Sequence, residues 1–321
     1  MHAHQKTIKH TLQIRGKGLH TGQMIDVTIR PLPINSGIWF KRTDCGESAP
    51  ILASAENVSD TSLATTLGWG RQRLSTLEHF LAALGGLGVN NIMVEVDGPE
   101  APILDGSAMP WVNLLYSAGF QILNAPRPFY RVAKPFKLTD GDKFLAVEPA
   151  PEFSVDFTID FPGFLKTQKR LFKFSESAFV KEISPARTFC LLKDVEQMQS
   201  RGKALGGGLD NAVVVCDDGV LNPEGLRFPD ECVRHKILDF IGDLSLAQAP
   251  ILGHFTAYKT GHALNQKVLA ELLSLPGYLE KSEAKGEAAR QPRNFEIPLK
   301  AQLGPLALGP EGKPFNPVFA N

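Results

Sequence analysis

A chain of 321 residues is long enough for two ordinary domains, each with its own core. Hydrophobic residues make up 43% and charged residues 21%, the balance of a folded, water-soluble protein. Lys+Arg and Asp+Glu each total 34, so the formal net charge is zero. That argues against nucleic-acid binding, which needs a basic excess, and leaves room for a local basic pocket. Met1–Thr11 is polar, carries His2, His4 and His10, and lacks the apolar core of a signal peptide. No stretch reaches the ~18 uncharged apolar residues of a membrane span. Cys45, Cys190, Cys216 and Cys232 are scattered without a C-x-x-C, and read as buried thiols of a reducing compartment. The cytoplasm is the expected location.

The first periodic segment is Met24–Arg30, where Ile25, Val27 and Ile29 alternate with Asp26, Thr28 and Arg30. That is a strand with one buried face. Leu74–Leu87 follows as an apolar-rich helix, with Gly85-Gly86 as its stop. Ile92, Val94 and Val96 mark a second strand, and Pro110–Ala118 a short helix. Asn124–Pro128, with two prolines, is the expected boundary between a first α+β domain, 1–124, and a second, 129–280. Beyond it Val155, Phe157, Ile159 and Phe161 alternate with Asp156, Thr158 and Asp160 as another strand. Helices are expected over Leu191–Arg201, Pro229–Gln248 and Ala263–Leu275, with a strand at Phe255–Tyr258. Both halves mix strands and helices without regular βαβ alternation, which points to an α+β fold. The similar order hints at a duplication. Residues 281–321 are charged and Ala-rich, then rich in Pro, Gly and Leu, and read as a poorly ordered tail.

Within Pro229–Gln248, Val233, Ile237, Phe240, Ile241 and Leu244 form a core-facing stripe. His235, Asp239 and Asp243 fall on the opposite side. His235 and Asp239 are one turn apart, so both can reach one ion. On spacing alone the pair reads first as an exposed His/Asp couple on a solvated face. Gly242 shares that side; glycine costs ~1 kcal/mol there against alanine and lets another segment approach closely. A third ligand must come from elsewhere, and Ser75-Thr76-Leu77-Glu78-His79 is the best donor. Here too the residues leave two readings. Ser75 and Glu78 have the spacing of a capping box. Glu beside His at a helix start also places a base against a metal site. Two histidines and one carboxylate would satisfy the three-ligand requirement of a catalytic zinc. His262, in a Gly-His turn between strand and helix, is either an exposed acid or a helix cap. Gly206-Gly207-Gly208 lacks the following Lys-Ser/Thr of a phosphate loop, and no G-x-G-x-x-G opens a helix after a strand.

Six segments carry a wider resemblance: GLHTG at 18–22, STLEH at 75–79, PILDGSA at 102–108, ARTF at 186–189, HKILDFIGDL at 235–244 and AYKTGHALN at 257–265. In this order and spacing, from about Lys6 to Leu275, the chain resembles the UDP-3-O-acyl-N-acetylglucosamine deacetylases of lipid A biosynthesis. The resemblance implies two similar domains, each a β-sheet layered against helices, with the active site between them. It implies a zinc-dependent amidohydrolase that removes the N-acetyl group of UDP-3-O-(3-hydroxyacyl)-N-acetylglucosamine and releases acetate. His79, His235 and Asp239 match the family's zinc ligands, Glu78 its general base, and His262 its catalytic histidine. Asp243 matches the carboxylate that orients this histidine, and Thr188 the hydroxyl near the oxyanion. Lys143, Lys236 and Lys259 fall where basic residues contact the nucleotide sugar, and Phe189 is placed to pack on substrate. The acyl chain is expected in a greasy tunnel built near Gly163–Arg187. The partner implied is the UDP-linked acylated glucosamine, and the default assembly is a monomer. Ligand type alone does not separate Zn²⁺ from Fe²⁺.

Overall fold

A computed structural model describes residues 3–284. The first half holds strands β1 (His4–Ile8), β2 (Leu12–Lys17), β3 (Met24–Pro31), β4 (Ile38–Arg42), β5 (Ile51–Leu52), β6 (Val58–Asp60) and β7 (Thr66–Leu67). Helix α1 (Glu78–Leu87), β8 (Ile92–Val96), α2 (Met109–Ala118) and β9 (Phe120–Pro126) complete it. The second half begins with β10 (Pro128–Val132), β11 (Phe136–Asp140), β12 (Lys143–Glu148), β13 (Phe153–Asp160) and β14 (Thr167–Lys173). It continues with a short α3 (Glu176–Ala178), β15 (Phe189–Leu191), α4 (Leu192–Ser200) and β16 (Val213–Val215). Helix α5 (Glu231–Leu244), β17 (Ile251–Tyr258), α6 (His262–Ser274) and β18 (Leu279–Glu283) close the described chain.

The alternation in Met24–Arg30 works as expected: Ile25, Val27 and Ile29 are buried in β3, and Val155, Phe157 and Ile159 are buried in β13. Five strands of each main sheet follow one topology, and β10 and β18 extend the second, with β10 parallel to β17. In the first the order is β2-β3-β8-β4-β5, antiparallel except for the parallel β8–β4 pair. In the second β11-β12-β17-β13-β14 repeats it, with β17–β13 as the parallel pair. Each central strand, β8 or β17, is preceded by one helix and followed by another. The fold is α+β, sheets layered against helices. Phe80 on α1 stacks edge-on to Phe40 of the first sheet, and Phe240 on α5 meets Phe153, Phe157 and Phe255 of the second. Helices α1 and α5 then pack on each other. Buried apolar side chains form one continuous cluster through both halves.

Several elements differ from their sequence readings. Helix α1 starts at Glu78, not Leu74, because Leu74 bridges to Leu67 and Ser75 to Glu100 in extended pairing. It runs through Gly85-Gly86 and stops at Gly88, whose φ of +72° is the left-handed cap that glycine supplies. Gly85 and Gly86 are small for packing: a Cβ would lie 2.4 Å from Ser245 Oγ and 2.2 Å from the Phe179 ring. Phe161 lies just past the end of β13. Lys281–Glu283, read from composition as tail, form part of β18, paired antiparallel with β10. The rest of that expected tail, 285–321, lies outside the described residues. Of the four cysteines, all unpaired, Cys232 is buried and the other three are partly exposed.

Candidate metal centre and active site

Helix α5 presents His235 and Asp239 one turn apart, and α1 presents His79 from its first turn. Contrary to a solvated His/Asp couple, both faces of α5 are buried: His235, Asp239 and Asp243 are at most 3% exposed. The face opposite the apolar stripe meets α1 instead. Gly242 makes the approach feasible, since a Cβ there would lie 2.1 Å from the Glu78 carbonyl oxygen.

The side chains of His79, His235 and Asp239 converge. Asp239 Oδ1 lies 3.3 Å from His235 Nε2 and 3.6 Å from His79 Nε2. The three ligating atoms all sit within 4.8 Å of one another. Bonds of ~2.0–2.2 Å to one tetrahedral ion place ligand atoms about 3.3–3.6 Å apart, so the two edges from Asp239 fit. Asp239 Oδ1 is buried without a hydrogen-bond partner, while Oδ2 accepts from Lys236 Nζ at 2.7 Å. Such an orphaned carboxylate oxygen between two imidazoles is costly unless a cation meets it. Burial, then the neighbouring His235, pushes His79 down to about 3, and burial lowers His235 as well. Both rings are therefore neutral near pH 7, the form that coordinates metal. His235 Nδ1 lies 3.1 Å from the Ala186 carbonyl oxygen, which makes Nδ1 the protonated nitrogen and aims the Nε2 lone pair into the cluster. For Asp239 burial opposes ionisation, yet His235, Lys236 and His262 together hold it well below the usual carboxylate range.

Two further groups flank this cluster. The Glu78 carboxylate does not cap α1; its Oε2 accepts the Thr65 backbone N–H at 2.9 Å, and α1 has no side-chain cap. Burial first, with Asp239 adding, raises Glu78 to about 7 despite His262 nearby. Across the cluster His262, the first residue of α6, turns Nδ1 to Asp243 at 3.0 Å and Nε2 towards Asp239 Oδ2 at 4.0 Å. Burial opposes its charge, but Asp243, with Asp239 and Glu78 adding, brings His262 up to about 9. Asp243 is itself fully buried and also accepts from Thr65 Oγ1 at 2.6 Å and Asn265 Nδ2 at 2.8 Å. The site thus pairs a neutral-range carboxyl with a protonated imidazole on either side of a cation-ready cluster, the arrangement general acid–base chemistry needs.

Thr65 and Asn265 were not singled out by sequence reasoning. Thr65 serves both arms, through its N–H to Glu78 and its hydroxyl to Asp243. A backbone donor in a loop leaves no pattern to read. Asn265 closes the AYKTGHALN segment, one turn after His262, which is its only signal in the sequence.

The remaining site candidates lie at varied depths. Phe189 stacks edge-on to His235, with ring centroids 6.4 Å apart, and to Phe161 at 5.6 Å. Thr188, half-buried beside it, is held by its N–H to the Gly106 carbonyl at 2.7 Å. Lys236 sits at the cluster on Asp239. Lys259 pairs with Asp142 at the end of β17, and Lys143 is exposed at the start of the neighbouring β12. Most of Gly163–Arg187 is scaffold: β14 belongs to the main sheet, and Phe179 and Ile183 are core. The unit that stands off the sheet comes next, β15–α4–β16, with Leu192, Leu205 and Leu209 exposed on or near it.

Comparison with known proteins identifies the family of the chain. The family model described as UDP-3-O-acyl N-acetylglycosamine deacetylase matches residues 5–274. The UDP-3-O-acyl-N-acetylglucosamine deacetylase of Methylococcus capsulatus is 50% identical over 84% of this chain and 90% of its own length. Its namesake from Myxococcus xanthus is 48% identical over 86% and 88%, and that from Shewanella loihica 45% over 93% and 99%. The chain belongs to the UDP-3-O-acyl-N-acetylglucosamine deacetylase family.

Proposed function

We propose that this chain is a zinc-dependent deacetylase of lipid A biosynthesis. It hydrolyses the N-acetyl group of UDP-3-O-(3-hydroxyacyl)-N-acetylglucosamine to the free amine and acetate. The observation that carries the reading is the buried, unpartnered Asp239 Oδ1 between His79 and His235, with Glu78 and His262 on either side. A zinc ion held by these three residues would supply Lewis acidity at the acetyl carbonyl and the attacking water.

Glu78 accepts a proton from the attacking water as its oxygen bonds to the acetyl carbon. A carboxyl near 7 is well matched to that task. The Thr188 hydroxyl and the protonated His262 donate to the developing oxyanion. His262 then gives its proton to the nitrogen as the C–N bond breaks, and Asp243 keeps the ring oriented and charged. Phe189 packs on the substrate beside His235, while Lys236, Lys259 and Lys143 meet the nucleotide sugar. The exposed leucines of β15–α4–β16 favour this unit, rather than Gly163–Arg187, as the wall of the acyl passage.

The reading includes two domains meeting near residues 124–129 and a monomeric enzyme. Four unpaired cysteines support a reducing, cytoplasmic setting. No helix among the described residues is long and apolar enough to cross a membrane. The test is metal analysis with an acetate-release assay on the UDP-linked substrate. Chelation should abolish turnover and Zn²⁺ should restore it; full turnover of metal-free protein would overturn the reading. A substrate lacking the 3-O-acyl chain should react poorly.

A further inference from the structure

The partner of His235 Nδ1 is an ordinary backbone carbonyl, Ala186 O, at 3.1 Å. The same peptide group presents the Arg187 N–H on its other side. That N–H donates to Glu231 Oε1 at 3.0 Å. Glu231 and His235 are four residues apart on α5, so they stand one above the other on one helix face. A single peptide plane is therefore clamped between a carboxylate that takes its N–H and an imidazole that gives to its C=O. Glu231 is fully buried, Arg187 and His235 are each 2% exposed, and Ala186 is fully buried.

The rest of the Glu231 environment holds the clamp rigid. Oε1 also accepts Arg187 Nε at 2.9 Å, and Oε2 accepts Arg187 Nη2 at 3.2 Å and the Arg227 backbone N–H at 2.6 Å. Arg187 is further held by Glu224 and by the Gly225 carbonyl at 2.7 Å. Every lone-pair direction of the carboxylate is in use, so the ion pair fixes where residues 186 and 187 lie relative to α5. A merely neutralising partner for Arg187 would not need to accept two backbone N–H groups.

We propose that Glu231 is a positioning residue for the metal centre, acting on His235 through the Ala186–Arg187 peptide. A carboxylate that accepts a peptide N–H draws electron density through the amide onto the carbonyl oxygen, and linked hydrogen bonds strengthen one another. The stronger acceptor holds the His235 Nδ1 proton more tightly. The ring tautomer is locked and Nε2 becomes a better donor to a cation. Metal-ligating histidines commonly give their second N–H directly to a carboxylate. Here the carboxylate is one peptide removed, which also ties it to the segment carrying Thr188 and Phe189. The inference rests on reading His79, His235 and Asp239 as the metal ligands.

The test compares the parent with the double variant Arg187→Met/Glu231→Gln. Both buried charges leave together, and the glutamine oxygen still accepts the Arg187 peptide N–H, although the amide nitrogen that replaces Oε2 no longer accepts the Arg227 N–H. Zinc affinity, read by competition with a chromogenic chelator, should fall about 10–100-fold, as for lost outer-shell partners of other sites. The His235 Nδ1 proton resonance should move upfield, and kcat should fall with KM within twofold. A lowered Tm with zinc affinity within twofold and an unmoved resonance would overturn the relay and leave Glu231 a structural residue. A parent that binds no stoichiometric zinc would overturn the metal reading, and the relay with it. One arm needs no variant: zinc loading of the apo-parent should shift the Arg187 amide proton downfield, because the two hydrogen bonds tighten together. An unmoved amide proton counts against the proposal even if the double variant fails to fold.

Discussion

At the scale of single residues the site is a set of opposed protonation tasks. His262 must carry a proton to act as an acid, so turnover falls as pH rises through its pKa. Asp243 holds that pKa up at about 9 against burial. Asp243→Asn removes the charge but keeps an amide of the same shape. The alkaline limb of the kcat/KM profile should move to lower pH by a unit or more, and a limb that stays in place would remove Asp243 from this role. His262→Ala should keep metal content unchanged while kcat drops about 10²–10⁴-fold, the usual worth of a general acid. An unchanged kcat would exclude His262 as the proton donor. How much of this was legible varies by residue. The i, i+4 spacing of His235 and Asp239 is local, and a helix wheel finds it. Spacing alone left the pair looking like a solvated couple, because what covers a helix face is decided by another part of the chain. Ser75 and Glu78 carried a plausible capping motif and His79 could be a partly buried helix residue; in the sequence only the resemblance separated these readings from a metal site. Thr65 could not be found, since it sits in a loop without periodicity and meets Glu78 and Asp243 only through the tertiary fold.

At the scale of elements, the site exists because α1 and α5 touch at their polar faces. Gly242 was readable as a place of close approach; which segment approaches was not. That segment is the first turn of α1, and both contacting groups are backbone or Cβ, with nothing flexible to yield. Gly242→Ala would place a methyl 2.1 Å from the Glu78 carbonyl oxygen. The helices must separate, at a cost of about 1–3 kcal/mol typical of overpacking. Glu78 and His79 would move away from His235 and Asp239 together. Tm and zinc affinity should both fall in this variant; a protein with parental values in both would show that the interface has slack. The capping-box reading of Ser75 failed for a related reason. Its local pattern was sound, but Leu74 and Ser75 are taken by extended pairing with Leu67 and Glu100, and tertiary pairing overrides a cap worth ~1 kcal/mol.

At the scale of the whole molecule, the repeated sheet order makes the site a product of two similar halves. One contributes Glu78 and His79; the other contributes His235, Asp239, Asp243 and His262. Alternation revealed strands in both halves, yet not that β8 and β17 each insert between strands formed much earlier. Strand partners far apart in sequence leave no periodic mark. A second device joins the halves away from the chemistry. Lys6 on β1 gives its ammonium to the Leu87 carbonyl at 2.7 Å and lies 3.7 Å from Glu176 on α3. Glu176 also accepts from Tyr116 on α2 at 3.0 Å. Arg127, between the two halves, is buried, and its charge is supported by Glu176 against a burial that lowers it to about 10. Two buried cations therefore depend on one carboxylate. Removing a partner from a fully buried ion pair costs ~3–5 kcal/mol. Glu176 is 31% exposed, and solvent screening reduces the expected loss for Glu176→Gln to about 1–3 kcal/mol. Thermal unfolding should shift down by several degrees. Because the cluster touches none of the reacting groups, kcat and KM at 25 °C should stay within twofold of the parent. An unchanged Tm would mean that water or Leu87 alone satisfies Lys6. A large loss of kcat at parental stability would mean instead that this junction sets how the two halves meet at the metal centre.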